Sequence, residues 1–324
     1  MSMTTDVQTP DALRPTAPAQ SRPGHKARIR LGFSAFVKDR FVPVAVVVLV
    51  IVVIWYAFTM VLNAPFERDQ AARAGTTLTT AELVERTMSQ KRPVLPAPHQ
   101  VAEEIWNTTA LKNITSKRSL VYHGWITLSS TLLGFVMGTA LGIGLAVLIV
   151  HSTVLDKSLM PWIIASQTVP ILAIAPMIIV VLNAIGLSGL VPKALISAYL
   201  SFFPVAVGMV KGLRSPDPML RDLMRTYNAS QAQIFWKLRW PSSVPFLFTS
   251  MKVAVAISLV GAIVGELPTG AVAGLGARLL TGSYYGQTIQ IWSALITAAV
   301  LAAVLVSLVD LAARIVRHRM GMRP

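Results

Sequence analysis

The stretch DLMRTYNASQAQIFWKLRWPSSVP, residues 222–245, is a polar segment that lies between two long apolar runs. Just before it, Asp217 has the residue type of a helix N-cap, and Pro218 suits the first helical position. This pattern predicts a short helix that ends at about Tyr227. Asn228 follows, and asparagine tolerates the left-handed conformation that ends many helices. The segment therefore begins with one short helix and a sharp bend.

A second helix is predicted immediately after the bend. Ser230 and Gln233 have the spacing of a capping box, in which each side chain binds the other residue's backbone N–H. Pro241 disfavours helical geometry in the residue before it, so the helix is expected to end near Trp240. Pro245 then leads into the next apolar run.

The second helix carries one apolar stripe, formed by Ile234, Phe235 and Leu238. Two interpretations of this stripe stay open. It could pack the helix onto its own bundle, or it could seat an amphipathic helix in the groove of a partner.

The composition identifies an integral membrane protein. Of the 324 residues, 54% are hydrophobic and only 13% are charged, against about 25% charged residues in ordinary soluble domains. The net charge of +15 comes from bases at the ends of apolar runs, which indicates anchoring at a membrane surface rather than nucleic-acid binding. The chain has no cysteine, which excludes disulfides and thiolate metal sites.

Six apolar runs approach the length of about 20 residues that a membrane-spanning helix needs. The predicted spans are residues 41–63, 125–150, 159–182, 190–210, 246–267 and 288–316. Three prolines interrupt the third run, so its freed backbone groups need neighbouring helices to satisfy them. We therefore expect the third span to be buried in a bundle.

Lysines and arginines near the span ends predict the orientation, because such residues are concentrated on the cytoplasmic side. Residues 1–40 are basic, and we expect them to be a largely disordered cytoplasmic tail. Residues 211–245 and the basic tail at 317–324 are then cytoplasmic as well. Residues 64–124 form an outer loop whose stretches TTAELVERTMSQ and HQVAEEIWNTT predict amphipathic helices. A membrane-surface cover is favoured for this loop over a ligand site.

A ladder of small residues occurs in the second span. Gly134, Gly138 and Gly142 are each four residues apart, which places them on one helix face and permits close contact with another helix. Packing is the favoured interpretation, and a hinge is the alternative.

The polar segment resembles the coupling motif of ABC importer permeases, and more narrowly that of the nitrate, sulfonate and taurine group. The group's pattern is roughly E-A-A-x-x-x-G-A-S, followed by Q-x-F, L-P and a further P. Leu223 and Met224 replace the usual alanines, and Trp240 replaces a leucine. By this resemblance the residues that couple to an ATPase are Asp222, Asn228, Ala229, Ser230, Gln233, Phe235, Pro241 and Pro245.

The resemblance continues over residues 95–319. The stretches that carry it include LPAPHQV, TLLGFVMGTALGIGLAVL, VPILAIAPMIIV, SFFPVAVGMVKGLRSPDP and VGELPTGAVAGLG. It implies an all-α polytopic membrane protein with six transmembrane helices. One N-terminal helix would precede a five-helix permease core of the type I ABC importer kind, at residues 125–316.

The resemblance also implies the partners: cytoplasmic ABC ATPase subunits, a periplasmic or lipid-anchored solute-binding protein, and a second permease copy, with a homodimer favoured. Membrane lipid surrounds the complex and no nucleic acid is involved. The chain has no G-x-x-x-x-G-K-[ST] phosphate loop. It is therefore expected to be a non-catalytic subunit without a cofactor of its own, in a bacterial inner membrane, with ATP bound by a partner.

Ionisable residues inside a membrane are candidates for function. Glu266 is a candidate for a gate or a binding-protein contact, against plain solvation at the membrane interface. Asp310 is assigned instead as the partner of Arg314, four residues on. The other path candidates, for which helix packing is an equal explanation, are Gln167, Thr168, Ser197, Tyr199 and Ser201.

The substrate suggested by the resemblance is a small solute such as a sulfonate, nitrate or a pyrimidine-like compound, with a slight preference for the last. Two other functions remain open. An ion-gradient-driven secondary transporter is one, although no internal repeat and no midspan carboxylate supports it. A membrane scaffold or sensor without transport is the other.

Overall fold

A computed structural model describes residues 42–268 and 273–321 of the chain. Within them the regular structure is helical and no strand occurs, so the all-α prediction is confirmed. The helices are α1 (Val42–Arg73), α2 (Thr80–Met88), α3 (Pro98–Thr109), α4 (Leu120–His151), α5 (Thr153–Ser166), α6 (Ile171–Ala184), α7 (Leu190–Arg214), α8 (Pro218–Thr226), α9 (Gln231–Ile234), α10 (Trp240–Glu266), α11 (Leu275–Tyr284) and α12 (Thr288–Arg319). A π-helical turn, Phe235–Arg239, joins α9 to α10. The predicted disordered tail lies outside the described residues.

Five of these helices are long and apolar enough to cross a membrane, or six segments if the bent pair α5–α6 counts as one. They are α1, α4, α7, the continuous run from α9 through α10, and α12. The predicted spans coincide with these helices, but the helices extend further. The first continues to Arg73 rather than ending at Asn63, and the fourth continues to Arg214.

The first thirteen residues of α1, Val42 to Ile54, are the described part of a first unit, and nearly all of these thirteen side chains are exposed. From Trp55 onward, α1 is joined to the segment between α2 and α3. The Asn63 amide accepts from the backbone N–H of Val94 at 2.8 Å and donates to the Leu95 carbonyl at 2.9 Å. The two amphipathic helices predicted for residues 64–124 occur as α2 and α3. The segment between them is hydrogen-bonded to α1.

The core of the bundle is the close pairing of α4 with α7, and α10 packs against both. A Cβ atom placed on Gly134 or Gly142 would come within 2.6 Å or 2.7 Å of a carbonyl oxygen of α7. A Cβ atom on Gly138 would be equally crowded, at 2.9 Å from the Ala198 carbonyl oxygen of α7. The small-residue ladder therefore packs helix on helix, as predicted.

This contact allows a matched prediction within one helix. Gly138→Ala should destabilise the protein by about 2 kcal/mol, because the methyl group has no room against α7. Gly144→Ala is the control: Gly144 lies on the exposed face of the same helix with open space at its Cβ position, so alanine should be neutral or stabilise by about 0.5–1 kcal/mol. Thermal unfolding of both purified variants measures the difference, and equal unfolding midpoints would contradict the packing assignment.

The prediction of a buried third span is wrong within this chain. The segment is broken into α5 and α6, which meet at an angle of 98°, and most of their side chains are exposed. Pro170 caps the start of α6 with an extended backbone. A proline cannot continue the hydrogen-bond ladder of the preceding helix, and this accounts for the break.

The predicted helix end before Pro241 is also wrong. The chain stays helical from Gln231 to Glu266 because the turn before the proline widens into a π-helix, in which the Trp240 N–H donates to the Phe235 carbonyl. A π-turn of this kind relieves the crowding of a proline ring against the preceding turn. The second short helix therefore continues directly into the fifth span.

Candidate functional site

Most residues of helix α8 are exposed, and only Arg221 and Met224 are half-buried. None of its residues is buried, and Met219, Leu223 and Tyr227 are exposed by 78%, 51% and 80%. With Leu220 they form an apolar stripe on a helix that also carries Arg221 and Asp222. An amphipathic helix whose apolar stripe has no partner among the residues that the structure describes has the pattern of a helix that binds in a groove.

The start and end of α8 are fixed by local hydrogen bonds. Asp217 caps the helix by accepting from the Met219 N–H at 2.9 Å, as predicted. At the other end Asn228 has φ +52°, its N–H donates to the Arg225 carbonyl at 2.8 Å, and the Ala229 N–H donates to the Met224 carbonyl at 3.0 Å. These two bonds and the left-handed residue form a Schellman motif, so the predicted bend at Asn228 is confirmed.

The capping box that starts α9 is confirmed as well. The Ser230 N–H donates to Gln233 Oε1 at 2.8 Å, and the Gln233 N–H donates to Ser230 Oγ at 3.3 Å. The short connection between α8 and α9 is thus held by the Schellman bonds to α8 and by the reciprocal bonds of the capping box at the start of α9. The two helices meet at a bend of fixed geometry.

The apolar stripe of α9 packs on the chain's own bundle. Ile234 and Phe235 are exposed by only 3% and 7%, and the Phe235 ring lies 5.0 Å from the ring of His151 at the end of α4. Of the two open interpretations, packing holds for this stripe, and little of Phe235 is left exposed for contact with a partner. The exposed helix is α8, and Phe235 anchors the segment that carries it.

A second polar site lies at the opposite end of the bundle, around Glu266. The carboxylate is fully buried and accepts from Thr127 Oγ1 at 3.0 Å and from the Gly276 N–H at 2.8 Å. Lys193 Nζ lies 3.8 Å from Glu266 Oε1 and donates to the Ala273 carbonyl. Glu266 therefore joins α4, α7 and the start of α11, and it has no free surface in this conformation.

Two glycines let the backbone approach this carboxylate. Gly274 has φ +130°, and a Cβ atom on it would collide with the Glu266 carboxyl group. A Cβ atom on Gly276 would come within 2.8 Å of Glu266 Cβ. His123 Nδ1 accepts from the Gly274 N–H at 2.9 Å while Nε2 lies 2.9 Å from the Lys117 carbonyl. This pairing assigns the tautomer with hydrogen on Nε2.

The sequence prediction found Glu266 but missed the residues around it: His123, Thr127 and Lys193. A signal for Lys193 existed, because it lies within a predicted span and an ionisable residue there is a candidate for function. The same signal would have found Lys252, which forms an ion pair with Asp310. The predicted pair of Asp310 with Arg314 is confirmed, at 2.6 Å. His123 and Thr127 gave no comparable signal.

The remaining path candidates lie in two different environments. Gln167 and Thr168 are exposed at the break between α5 and α6, and the neighbouring Ser166 carbonyl accepts from the Tyr199 hydroxyl. Ser197 and Ser201 are fully buried between helices. We assign these two serines to helix packing, while a path role for Gln167 and Thr168 stays a prediction.

Comparison with known proteins decides the family. The family model described as "binding-protein-dependent transport system inner membrane component" matches residues 138–322. The chain belongs to this family. The match includes α8, the bend at Asn228 and Glu266, so the permease carries both sites within the family's shared region.

Individual relatives agree. The permease is 32% identical over 184 residues to the formylaminopyrimidine transport permease protein ThiX of Halalkalibacterium halodurans, covering 56% of this chain and 68% of the relative. It is 31% identical over 222 residues to the riboflavin transport system permease protein RibX of Chloroflexus aurantiacus, covering 68% and 79%. It is 27% identical over 221 residues to the putative aliphatic sulfonates transport permease protein SsuC of Bacillus subtilis, covering 68% and 76%.

The family establishes the general activity. The chain is a multi-pass membrane permease subunit of an ABC importer, it is non-catalytic, and ATP hydrolysis is the work of a separate ATPase. The family's binding-protein dependence also implies a solute-binding partner. The predicted membership of the nitrate, sulfonate and taurine type is confirmed by relatives of that kind, among them the nitrate import permease protein NrtB of Synechocystis.

Proposed function

We propose that α8 is the helix through which this permease is coupled to its ATPase in a bacterial inner membrane, with the chain termini and α8 in the cytoplasm. The observation that carries the proposal is the exposed apolar stripe of α8, combined with the Schellman motif and capping box that fix its orientation. A groove on the ATPase would bury Met219, Leu220, Leu223 and Tyr227. Movement of the ATPase would then pass through Asn228 and Phe235 into α10.

The solute path is proposed to lie between two copies of the permease, as a homodimer in lipid. The broken pair α5–α6 supports this arrangement. Backbone outside a regular helix is tolerated at membrane depth only where protein covers it or where it lines a water-filled cavity. The break at Gln167 and Thr168 is exposed within this chain. The backbone of the break would therefore be covered by a second copy of the permease or hydrated by water in the solute path.

A small nitrogen heterocycle of the pyrimidine type is the proposed substrate. The support is that two relatives above 30% identity are named as permeases for formylaminopyrimidine and riboflavin. The solute-binding protein supplies the selectivity in importers that depend on one, so its ligand is the quantity to measure. A sulfonate or nitrate is the second candidate, supported by the relatives named for those anions.

Uptake by reconstituted vesicles tests the proposal. Proteoliposomes with the permease, its ATPase and its binding protein should accumulate the binding protein's ligand only with ATP. Replacing Met219 and Leu223 together with serine should abolish uptake and release the ATPase, while leaving the permease folded, because both side chains are exposed in the isolated chain. Uptake without the ATPase, driven by an ion gradient, would instead establish the secondary-transporter alternative.

A further inference from the structure

A polar cavity of about 600 Å³ lies at the end of the bundle opposite α8, between α3, the loop that joins α3 to α4, α11 and the start of α12. Eight of its nine lining residues are polar, so it lacks the mostly apolar lining of an ordinary small-molecule pocket. Three of them are cations, Lys112, Arg118 and Arg278, and only Glu104 is a carboxylate. The charge of the cavity therefore favours an anion.

Arg278 is the feature that points to a ligand. Its side chain comes from α11 and the residue is only 7% exposed. Nη1 donates to the Arg118 carbonyl at 2.9 Å, but Nε has no hydrogen-bond partner among the described residues. A guanidinium carries five N–H donors, and a buried charged group normally has its donors satisfied. Arg278, a residue of the cavity lining, thus has a buried Nε donor that is left unsatisfied.

Glu104 is a poor counter-ion for this arginine. Its Oε1 lies 3.6 Å from Arg278 Nη2, which is beyond hydrogen-bond length. Burial raises the pKa of the Glu104 carboxyl, with Arg278 acting in the opposite direction. Burial also lowers the pKa of the Arg278 guanidinium, against the charge of Glu104. Both charges are therefore incompletely compensated.

The walls of the cavity are held in place without a ligand. Leu120 of α4, Leu275 of α11 and Ala294 of α12 form one buried apolar cluster, against which Ile105 of α3 packs. Gln290 of α12 donates to the backbone carbonyl of Arg278 at 3.3 Å. A preformed site loses less entropy when it binds than one that must be ordered.

We propose that this cavity is a receptor for one oxyanion group, a carboxylate, sulfonate or phosphate, bound by the free donors of Arg278 with Lys112 and Arg118 contributing positive charge. A planar guanidinium fork matches the two oxygens of such a group. The group has two possible sources: a free small solute, or an acidic side chain presented by the solute-binding protein. The second source rests on the proposed function, and the first does not.

The free-solute source is tested on the permease alone, in lipid nanodiscs. Acetate, methanesulfonate and phosphate are titrated against chloride at constant ionic strength, and the unfolding midpoint is followed. The wild type should show saturable protection by an oxyanion. Arg278→Gln should weaken the apparent affinity about tenfold or more, as expected for a lost charge-assisted hydrogen bond. Arg278→Lys, which keeps the charge and loses the fork, should fall between them.

Glu104→Gln distinguishes a specific effect from general damage to the cavity. Removing the competing carboxylate should tighten oxyanion binding, whereas general damage would weaken it. Arg68→Gln is the matched control, because Arg68 is an exposed arginine on α1 outside the cavity. Protection that is equal in all four variants and the wild type would be a general salt effect and would overturn the free-solute source.

The binding-protein source is tested by capture of the solute-binding protein on immobilised permease, in the presence and absence of methanesulfonate. If the group is an acidic side chain, Arg278→Gln should weaken capture about tenfold, Arg68→Gln should not, and free methanesulfonate should compete. The proposal is overturned if neither oxyanion protection nor capture depends on Arg278. ATP-driven uptake that fails while oxyanion binding persists would count against the proposed function alone.

Discussion

Replacing Asn228 with proline is expected to abolish ATP-driven uptake and to reduce co-purification of the ATPase at least about tenfold, a change of about 1.4 kcal/mol in binding. Proline fixes φ near −65°, whereas Asn228 has φ +52°. Proline also lacks the N–H that Asn228 donates to the Arg225 carbonyl. The left-handed residue and one of the two hydrogen bonds of the Schellman motif are therefore lost, and α8 is no longer presented at a fixed angle.

A graded series at the same position separates this cause from general damage. Asn228→Gly should match or exceed the wild type, because glycine adopts the left-handed conformation without steric cost. Asn228→Ala should lie between glycine and proline, since an ordinary residue in that conformation costs about 1–2 kcal/mol. Membrane insertion should be normal throughout, as Asn228 is exposed outside the bundle. Normal ATPase co-purification by the proline variant would contradict the coupling assignment.

The structure of the polar segment around Asn228 was predictable because its determinants are local. The caps at Asp217 and Ser230 and the bend at Asn228 each depend on residues within a few positions, and all three occur in the structure. Pro241 misled the prediction because a π-turn is an uncommon response to a proline. The sequence did not show whether the apolar stripe at Ile234 and Phe235 is buried within the chain. Phe235 packs on His151 at the end of α4, which is distant in sequence.

The Glu266 site was only half predictable, for the opposite reason. A carboxylate near the end of a span is visible in the sequence, and Glu266 was found in that way. Gly276 lies in the same quoted stretch, VGELPTGAVAGLG, only 10 positions away, but Thr127 lies on α4, 139 positions away, and nothing local marks it. The cavity at Arg278 is likewise assembled from three helices and the loop between α3 and α4. Its composition becomes visible only when the chain is folded.

The second large effect is expected for Glu266→Gln, which should lower uptake strongly while the permease still inserts and assembles. The amide oxygen can still accept from Thr127 and from the Gly276 N–H, so the local geometry survives. The negative charge beside Lys193 is lost, however. The Lys193 ammonium group, whose side chain is only 12% exposed, is then left without a counter-ion. We expect a loss of about 2 kcal/mol in stability, measured by thermal unfolding of the purified protein.

A double-mutant cycle with Lys193→Met gives this prediction its control. If Glu266 acts through Lys193, the double variant should be more stable than the sum of the single changes predicts, because no unpaired charge remains. Methionine keeps the length and apolar stem of lysine, so packing changes little. Stability restored without uptake would assign the carboxylate a role in transport beyond holding α4, α7 and α11 together. If the double variant regained both stability and uptake, Glu266 would be a structural residue. Unchanged uptake in the single Glu266→Gln variant would contradict any role in transport.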